Sequence, residues 1–504
     1  MIALGLDAAD ATLITRWMEE GSLPTLRSLR DNGIWVTLLH PTAIPSAAVW
    51  PSIFTGALPG KHGIIHNLQF DSNSQTIALT HPSQCVLPPF WRLLDQGGHR
   101  STIFDVPFNY PLSGFAGTQI LDWGTYERHY RSHSIPREVL TEIEARFGAY
   151  PFGAEMSRDA PWSERRCRRV RAELLQGVRL KGEAIRWLLS GSTWNFFMAV
   201  FGETHPAGHY FWNYRAAGDD SPKSAAADDA NESIKAVYKA VDEEIAKIVD
   251  ALDTQTTLLV VSGQGMGRNC AHWHILPEVL SRLGCLATHS IKAGRSGSRL
   301  GLRTIRDAIP LKLRRSVSRH LPGSLRDRLQ LHWANSRIDW PRTRAFDLPT
   351  DLFGYIRVNL KGREPQGIVE PGAEYDALCD RIRDALMRLV DQVTGKPIVR
   401  DVLRADRVFS GPARNRFPDL LVLWQDETQA TTVCSDEIGR ISVAFPDQRA
   451  GNHKPHGFAI IYGHGVDRGQ KTSGLIVDIA PTILRYFNLD IPASFDGRPL
   501  NCTA

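Results

Sequence analysis

Residues 257–269 read TLLVVSGQGMGRN, and the reading of that stretch decides the fold. Thr257–Val261 is a short, uninterrupted apolar run rich in β-branched residues, the pattern of a strand buried on both faces. The glycines that follow make a loop. In an open α/β sheet, the loop leaving the carboxyl end of a strand is where ligands bind. Yet Ser262, Gly263, Gln264 and Gly265 supply no carboxylate, imidazole or thiolate. The stretch is either an ordinary turn or an active-site loop whose usual ligands have been replaced.

Similar runs recur along the chain: Ile2–Leu6, Ser101–Val106, Asn195–Phe201, Leu420–Trp424 and Phe458–Tyr462. Longer helical patterns lie between them. This alternation predicts an α/β fold, a mainly parallel sheet sandwiched by helices. No internal repeat is visible.

The chain has 504 residues, 42% of them hydrophobic, with a formal charge of +5. That charge is too small for this size to imply specific nucleic-acid binding. The seven cysteines are scattered without a CxxC pair, which argues against a disulfide framework and for a reducing compartment. MIALGLD at the start reads as a strand, with no signal-peptide pattern, and no apolar run is long enough to span a bilayer. The expected location is the cytoplasm. Oligomeric state is not readable.

Two segments stand out as basic. Residues 140–190, containing SERRCRRVRAELLQGVRLK, predict a basic helical insertion. Residues 281–340, containing RSGSRLGLRTIRDAIPLKLRRSVSRHLPGSLRDR, predict a basic, cap-like one. Such charge runs ordinarily form solvated faces. They would equally suit a cap that attracts an anionic substrate, or a surface for lipid or a partner.

Several residues carry possible chemistry. Asp7 ends the first strand in GLDAAD, where a carboxylate faces the ligand crevice. Asp10 suits the cap of the next helix. Ser46 follows Pro45 and precedes a short helical run. Alone it reads as an N-cap. The same position places its hydroxyl beside backbone N–H groups that stabilise a transferring phosphoryl or sulfuryl group, with Asn67 a further amide donor. His205 and His209, in GETHPAGH, are four apart, so one helical turn brings both imidazoles to one side. His453, in GNHKPHG, would make a third. Three histidines with one open position suit a catalytic zinc. His66, His272, His274 and His456 read as structural or surface residues. Tyr210, Trp212 and Tyr214 read as core aromatics that could also line a pocket for a ring.

Taken in order, these pieces resemble the alkaline phosphatase superfamily, in its type I phosphodiesterase/nucleotide pyrophosphatase-like branch. The resemblance rests on GLDAAD (5–10), PSAAVWPSIFTGALPGKHGI (45–64), GETHPAGH (202–209) and SGQGMG (262–267). It continues through NLKGREPQGIV (359–369), FPDLLVLW (417–424), GNHKPHG (451–457) and VDIAPTILRYFNLDIPASFDGRPL (477–500). It covers most of the chain outside the two basic segments and implies one alkaline phosphatase-like catalytic domain over 1–504, with helical insertions.

Carried onto this sequence, the resemblance makes Ser46 the nucleophile and Asn67 the phosphate-binding amide. It makes Asp7 a ligand of the metal that activates the nucleophile, and His209 and His453 ligands of the other metal. His205 stands where an aspartate is usual. Gly263 and Gln264 stand where the family carries the Asp and His of SDHG, so the second metal site loses its main support. The resemblance implies a metal-dependent hydrolase of phosphate esters, phosphodiesters or pyrophosphates, or of sulfate esters. It would use a serine nucleophile, one or two divalent ions, zinc first among them, and a small anionic substrate. The altered ligands keep two other readings open: a one-metal transferase or biosynthetic tailoring enzyme, and a non-catalytic binding protein on the same fold.

Overall fold

Ile2–Leu6 is the central strand, and every residue in it is buried. The computed structural model describes residues 1–40, 43–125, 132–152, 164–191, 193–212, 225–289, 335, 337–426, 430–442 and 449–501. Within them, Ile2–Leu6 pairs in parallel with Phe196–Phe201 on one side and Leu258–Ser262 on the other. Nine strands make the main sheet. Their order is Gln470–Leu475, Ile34–Leu39, His456–Tyr462, Leu258–Ser262, Ile2–Leu6, Phe196–Phe201, Ser101–Phe104, Thr118–Leu121 and His133–Ile135. His456–Tyr462 runs antiparallel to both neighbours, as does the edge strand His133–Ile135 to its one neighbour; the other pairings are parallel.

The apolar runs are continuous because both faces of the sheet are covered. Ile2, Leu4 and Leu6 point into one core, against the helices Ala11–Glu19, Pro24–Asp31, Glu164–Gly191 and Ala225–Val249. Ala3 points into the opposite core, against Val49–Thr55, Phe90–Gln96 and Ile479–Tyr486. The expected α/β sandwich is therefore present.

A third apolar core lies apart from these two. It is built on a four-stranded antiparallel sheet in the order Ala345–Leu348, Gly354–Val358, Leu420–Trp424, Val399–Arg404, backed by the helix Ala373–Met387. The expected single unit over 1–504 thus carries a second lobe with its own core.

Of the 140–190 segment, the described part is largely the helix Glu164–Gly191. It is a cover of the main sheet: Val170, Leu174, Val178, Ile185 and Leu188 pack into the core, while Arg165, Arg168 and Arg169 are exposed. Its basic composition is that of the outer side of a structural helix. Most of the 281–340 segment lies outside the described residues. Thr288 and Ile338 form an antiparallel bridge, so the chain leaves and re-enters the lobe at one point. Among the described residues no helix is long and apolar enough to cross a membrane.

The Glu164–Gly191 helix also carries Lys181, whose side chain is fully buried and pairs with the equally buried Asp105. Asp105 further accepts from the backbone N–H groups of Trp123 and Gly124 at 2.9 and 2.7 Å. The Lys181 ammonium stands 5.1, 5.9 and 5.5 Å from the ring centroids of Phe104, Trp123 and Tyr150. Removing one partner of such a pair strands a charge in a low-dielectric interior. Lys181→Ala is expected to lower stability in urea denaturation by about 3–5 kcal/mol. The milder Lys181→Ala/Asp105→Asn double variant recovers part of that loss.

Candidate functional site

The candidate site lies at the carboxyl edge of the main sheet, where strands diverge on either side of Ile2–Leu6. Asp7 follows that strand directly, and its N–H donates to the Phe201 carbonyl at 2.9 Å. The helix Thr204–Phe211 begins three residues beyond the neighbouring strand Phe196–Phe201. His205 and His209 lie one turn apart on it, as expected. His453 arrives on the short strand Gly451–Lys454, just before His456–Tyr462. Because that long strand runs antiparallel, its beginning lies at the same edge as the ends of the parallel ones.

The three imidazoles converge. Their ligand atoms all lie within 4.8 Å of one another, and all three residues are buried. The hydrogen bonds fix the tautomers of two of them. His205 Nδ1 donates to Asp7 Oδ2 at 2.8 Å, and His209 Nδ1 donates to the Gly451 carbonyl at 2.9 Å. Both acceptors are pure acceptors, so both Nδ1 atoms carry the proton. The two Nε2 atoms then face each other at 2.9 Å, a separation at which a shared cation or proton joins them. Burial first, and then the charges of Arg449, His205 and His453, push the His209 pKa well below its ordinary value, which disfavours a proton there. Three imidazoles, two of them with their outer nitrogens oriented by hydrogen bonds, are a donor set that suits a divalent metal ion. The histidines fit a metal on chemistry as well as on position.

Asp7 stands behind this cluster. Oδ2 accepts from His205, and Oδ1 accepts from the Trp50 indole N–H at 2.8 Å. Trp50 can come this close because residue 5 is glycine: a Cβ there would meet the Trp50 ring at 2.5 Å. Both Asp7 oxygens are thus engaged in orienting contacts, beside the position that the three histidines surround.

Ser46 opens a 3-10 turn, Ser46–Ala48, that leads into the seven-residue helix Val49–Thr55. Its hydroxyl donates to Asp351 Oδ2 at 2.5 Å. Ser46 shares one cavity with Asp7, His205, His209 and His453, together with Gln264, Asp351 and Arg449. Asn67 does not line that cavity; it is half-buried, and its carbonyl accepts from the Thr80 N–H at 2.8 Å.

Gly263 and Gln264 follow the strand Leu258–Ser262, so the opening stretch does end at the site. Gln264 lines the cavity. At Gly263 a Cβ would meet Val49 Cγ1 at 2.5 Å and Ile53 Cδ1 at 2.6 Å. The aspartate usual in the resemblance has no room here. The side-chain direction at 263 is taken up by the apolar face of the helix that follows Ser46.

Two cavity residues escaped sequence reading. Asp351 lies in the lobe between Ala345–Leu348 and Gly354–Val358, and Arg449 precedes Gly451–Lys454. The Asp351 backbone carbonyl accepts from Asn452 Nδ2 at 2.7 Å, which ties the lobe to the histidine strand. Burial alone would raise the Asp351 pKa; His66, His453, Arg449 and the Ser46 hydroxyl more than reverse that and hold it at about 2. Arg449 is itself buried and donates to His209 Nε2 at 3.4 Å. Of the other residues singled out in the sequence, Asp10 caps its helix through Leu13, Tyr210 is buried in the core, and Trp212 packs against it. Tyr214 lies outside the described residues.

An open, mainly parallel sheet that brings a buried histidine cluster and a serine to its carboxyl edge defines a class of α/β hydrolase. The chain belongs to the type I phosphodiesterase / nucleotide pyrophosphatase family, whose profile matches residues 1–458, and through it to the alkaline phosphatase superfamily. That makes it an enzyme of the phosphodiesterase type. No curated protein sequence matches it. Among solved structures it is similar to human ectonucleotide pyrophosphatase / phosphodiesterase 5, at 13% identity and a TM-score of 0.48 over 99% of this chain and 96% of that one. It is also similar to phosphonoacetate hydrolase from Sinorhizobium meliloti 1021 in complex with phosphonoformate, at 12% and 0.48 over 93% and 89%. A third is murine ectonucleotide pyrophosphatase / phosphodiesterase 5 in complex with AMP, at 14% and 0.49 over 98% and 96%.

Two outcomes follow from the geometry. Asp7→Asn, which replaces a carboxylate behind His205 by an amide, is expected to weaken metal binding about 10- to 100-fold in a chelator competition. Gly263→Asp/Gln264→His is expected to bind no additional metal by elemental analysis. Overpacking against Val49 and Ile53 should also lower its stability by about 1–3 kcal/mol.

Proposed function

We propose that the protein hydrolyses small phosphate esters, phosphodiesters or pyrophosphates, with Ser46 as nucleophile and one divalent cation held by His205, His209 and His453. The observation that carries this reading is the convergence of three imidazoles, two with their Nε2 atoms 2.9 Å apart, in the cavity that also holds the Ser46 hydroxyl. Neutral imidazole donors favour zinc over magnesium or calcium. When bound, the ion supplies Lewis acidity toward an oxygen of the substrate.

The chain's own residues do the rest. Arg449 presents a buried guanidinium to the cavity, where it suits the fork of oxygens on a phosphoryl group. It supplies positive charge that the resemblance would have assigned to a second ion. Ser46 supplies the hydroxyl that attacks phosphorus, forming a phosphoserine that water then releases. Trp50 and Asp7 hold His205 in one tautomer. A sulfate monoester has the same tetrahedral geometry and one charge fewer than a phosphate monoester; the buried Arg449 and the ion together favour the more highly charged of these two.

The closed position at Gly263 supports one ion per chain in preference to two. It is equally compatible with transfer to an acceptor hydroxyl in place of water, and comparison of phosphate released with substrate consumed separates the two. Elemental analysis of tag-free protein is expected to give about one zinc per chain, and none in His209→Ala. With p-nitrophenyl phosphate and bis(p-nitrophenyl) phosphate as probes, Ser46→Ala should lose at least about 1,000-fold in kcat while keeping its metal and its unfolding midpoint. Wild-type turnover by a folded Ser46→Ala protein would remove the serine from the reaction.

A further inference from the structure

Asp351 has no counterpart in the resemblance. Asp351 comes from the second lobe, 305 residues along the chain from Ser46, and its carboxylate accepts the Ser46 hydroxyl at 2.5 Å. That is the short end of the range for an O–H donor to a carboxylate. The loop position to which the resemblance gives an aspartate ligand for the nucleophile-activating metal is Gly263, where Val49 and Ile53 stand in the way of a side chain. A serine hydroxyl without a metal or an adjacent base is a weak nucleophile. The other carboxylates near the site are committed elsewhere: Asp7 to His205 and Trp50, and Asp10 to the cap of its helix. The position of Asp351 is built: its own backbone carbonyl is held by Asn452, and Thr350 Oγ1 donates to the Phe353 carbonyl at 2.8 Å across the turn.

We infer that Asp351 is the catalytic proton acceptor for Ser46, a carboxylate contributed by the second lobe in place of the nucleophile-activating metal. This rests on Ser46 being the nucleophile. In the first half-reaction Oγ forms its bond to phosphorus as its proton passes to Asp351 Oδ2. The bond from phosphorus to the leaving oxygen breaks, that oxygen takes the electron pair, and it is then protonated at the expense of Asp351. In the second half-reaction water adds to phosphorus and gives a proton to Asp351. The phosphorus–Oγ bond breaks with its electron pair on Oγ, and Asp351 returns the proton to it. The sum is ester plus water giving alcohol plus phosphate, and Asp351 ends as it began.

The test reads Ser46 itself, without requiring metal or turnover. Metal-free and zinc-loaded protein are treated with diisopropyl fluorophosphate, which phosphorylates an activated serine with loss of fluoride, and adduct formation at Ser46 is followed by intact mass and peptide mapping. Asp351→Asn keeps the size and a hydrogen-bonding oxygen and removes the proton acceptor. It should slow labelling of Ser46 by about 100- to 10,000-fold, in both forms, with metal content unchanged. Labelling of a folded Asp351→Asn protein at the wild-type rate overturns the inference, as does wild-type protein whose Ser46 takes no label. Should Asp351→Asn fail to fold, Asp351→Gly with added formate replaces it: formate-dependent return of labelling supports the proton-acceptor role, and labelling indifferent to formate in folded protein overturns it. Failure of the parent reading looks different. There the two p-nitrophenyl esters are not hydrolysed by zinc-loaded protein, whatever the label does.

Discussion

The site is organised around two imidazole nitrogens that face each other at 2.9 Å with their outer nitrogens already engaged. Nothing else in the cavity is so tightly constrained. The Gly451 carbonyl fixes one ring and Asp7 fixes the other. Asp7 is held in turn by Trp50, and Trp50 by the absence of a side chain at Gly5. The chain of dependence runs from a buried glycine in the central strand, through an indole, a carboxylate and an imidazole, to the point where a cation is needed. Each link is a contact in a dry interior, where an unmade hydrogen bond costs more than a made one contributes.

The sheet was legible in the chain because its strands are buried on both faces and read as unbroken apolar runs. Ile2–Leu6 and Leu420–Trp424 match the structure residue for residue, and Leu258–Ser262 is offset by one. His205 and His209 were legible because a helix converts a spacing of four into proximity. Asp351 was not. Its partnership with Ser46 spans 305 residues and two lobes, and no local periodicity encodes it. Its nearest signal is an aspartate in a short turn, DLPTDLFG, between two runs that become strands, and such aspartates are common in turns. Arg449 was hidden for the same reason. The basic helix misled in the other direction: arginines on its outer side dominate its composition, while Val170, Leu174, Val178 and Ile185 decide its place in the fold.

The opening loop shows how a ligand is lost in physical terms. A glycine at 263 reads, in sequence, as a missing side chain. In the structure it is a filled space, because methyl groups of Val49 and Ile53 stand where a Cβ would go. The helix after Ser46 is part of the apolar core, and its packing closes the side-chain direction at 263.

Charge balance makes the same arrangement coherent. Gly263 and Gln264 offer no anion and no imidazole where the resemblance has an aspartate and a histidine. The cavity still needs positive charge for an anionic substrate and a negative group for the serine proton. Arg449 and Asp351 supply one of each, both buried and close enough for Arg449 to help hold the Asp351 carboxyl near 2. So low a basicity would be poor for taking a proton if it were fixed. It is set largely by neighbouring positive groups, and an entering phosphate satisfies the same groups. The substrate's charge offsets the field of the Arg449 guanidinium, and the carboxylate becomes a better acceptor as the ester arrives. Basicity is then low in the resting site, which keeps Asp351 ionised, and rises when Ser46 has something to attack.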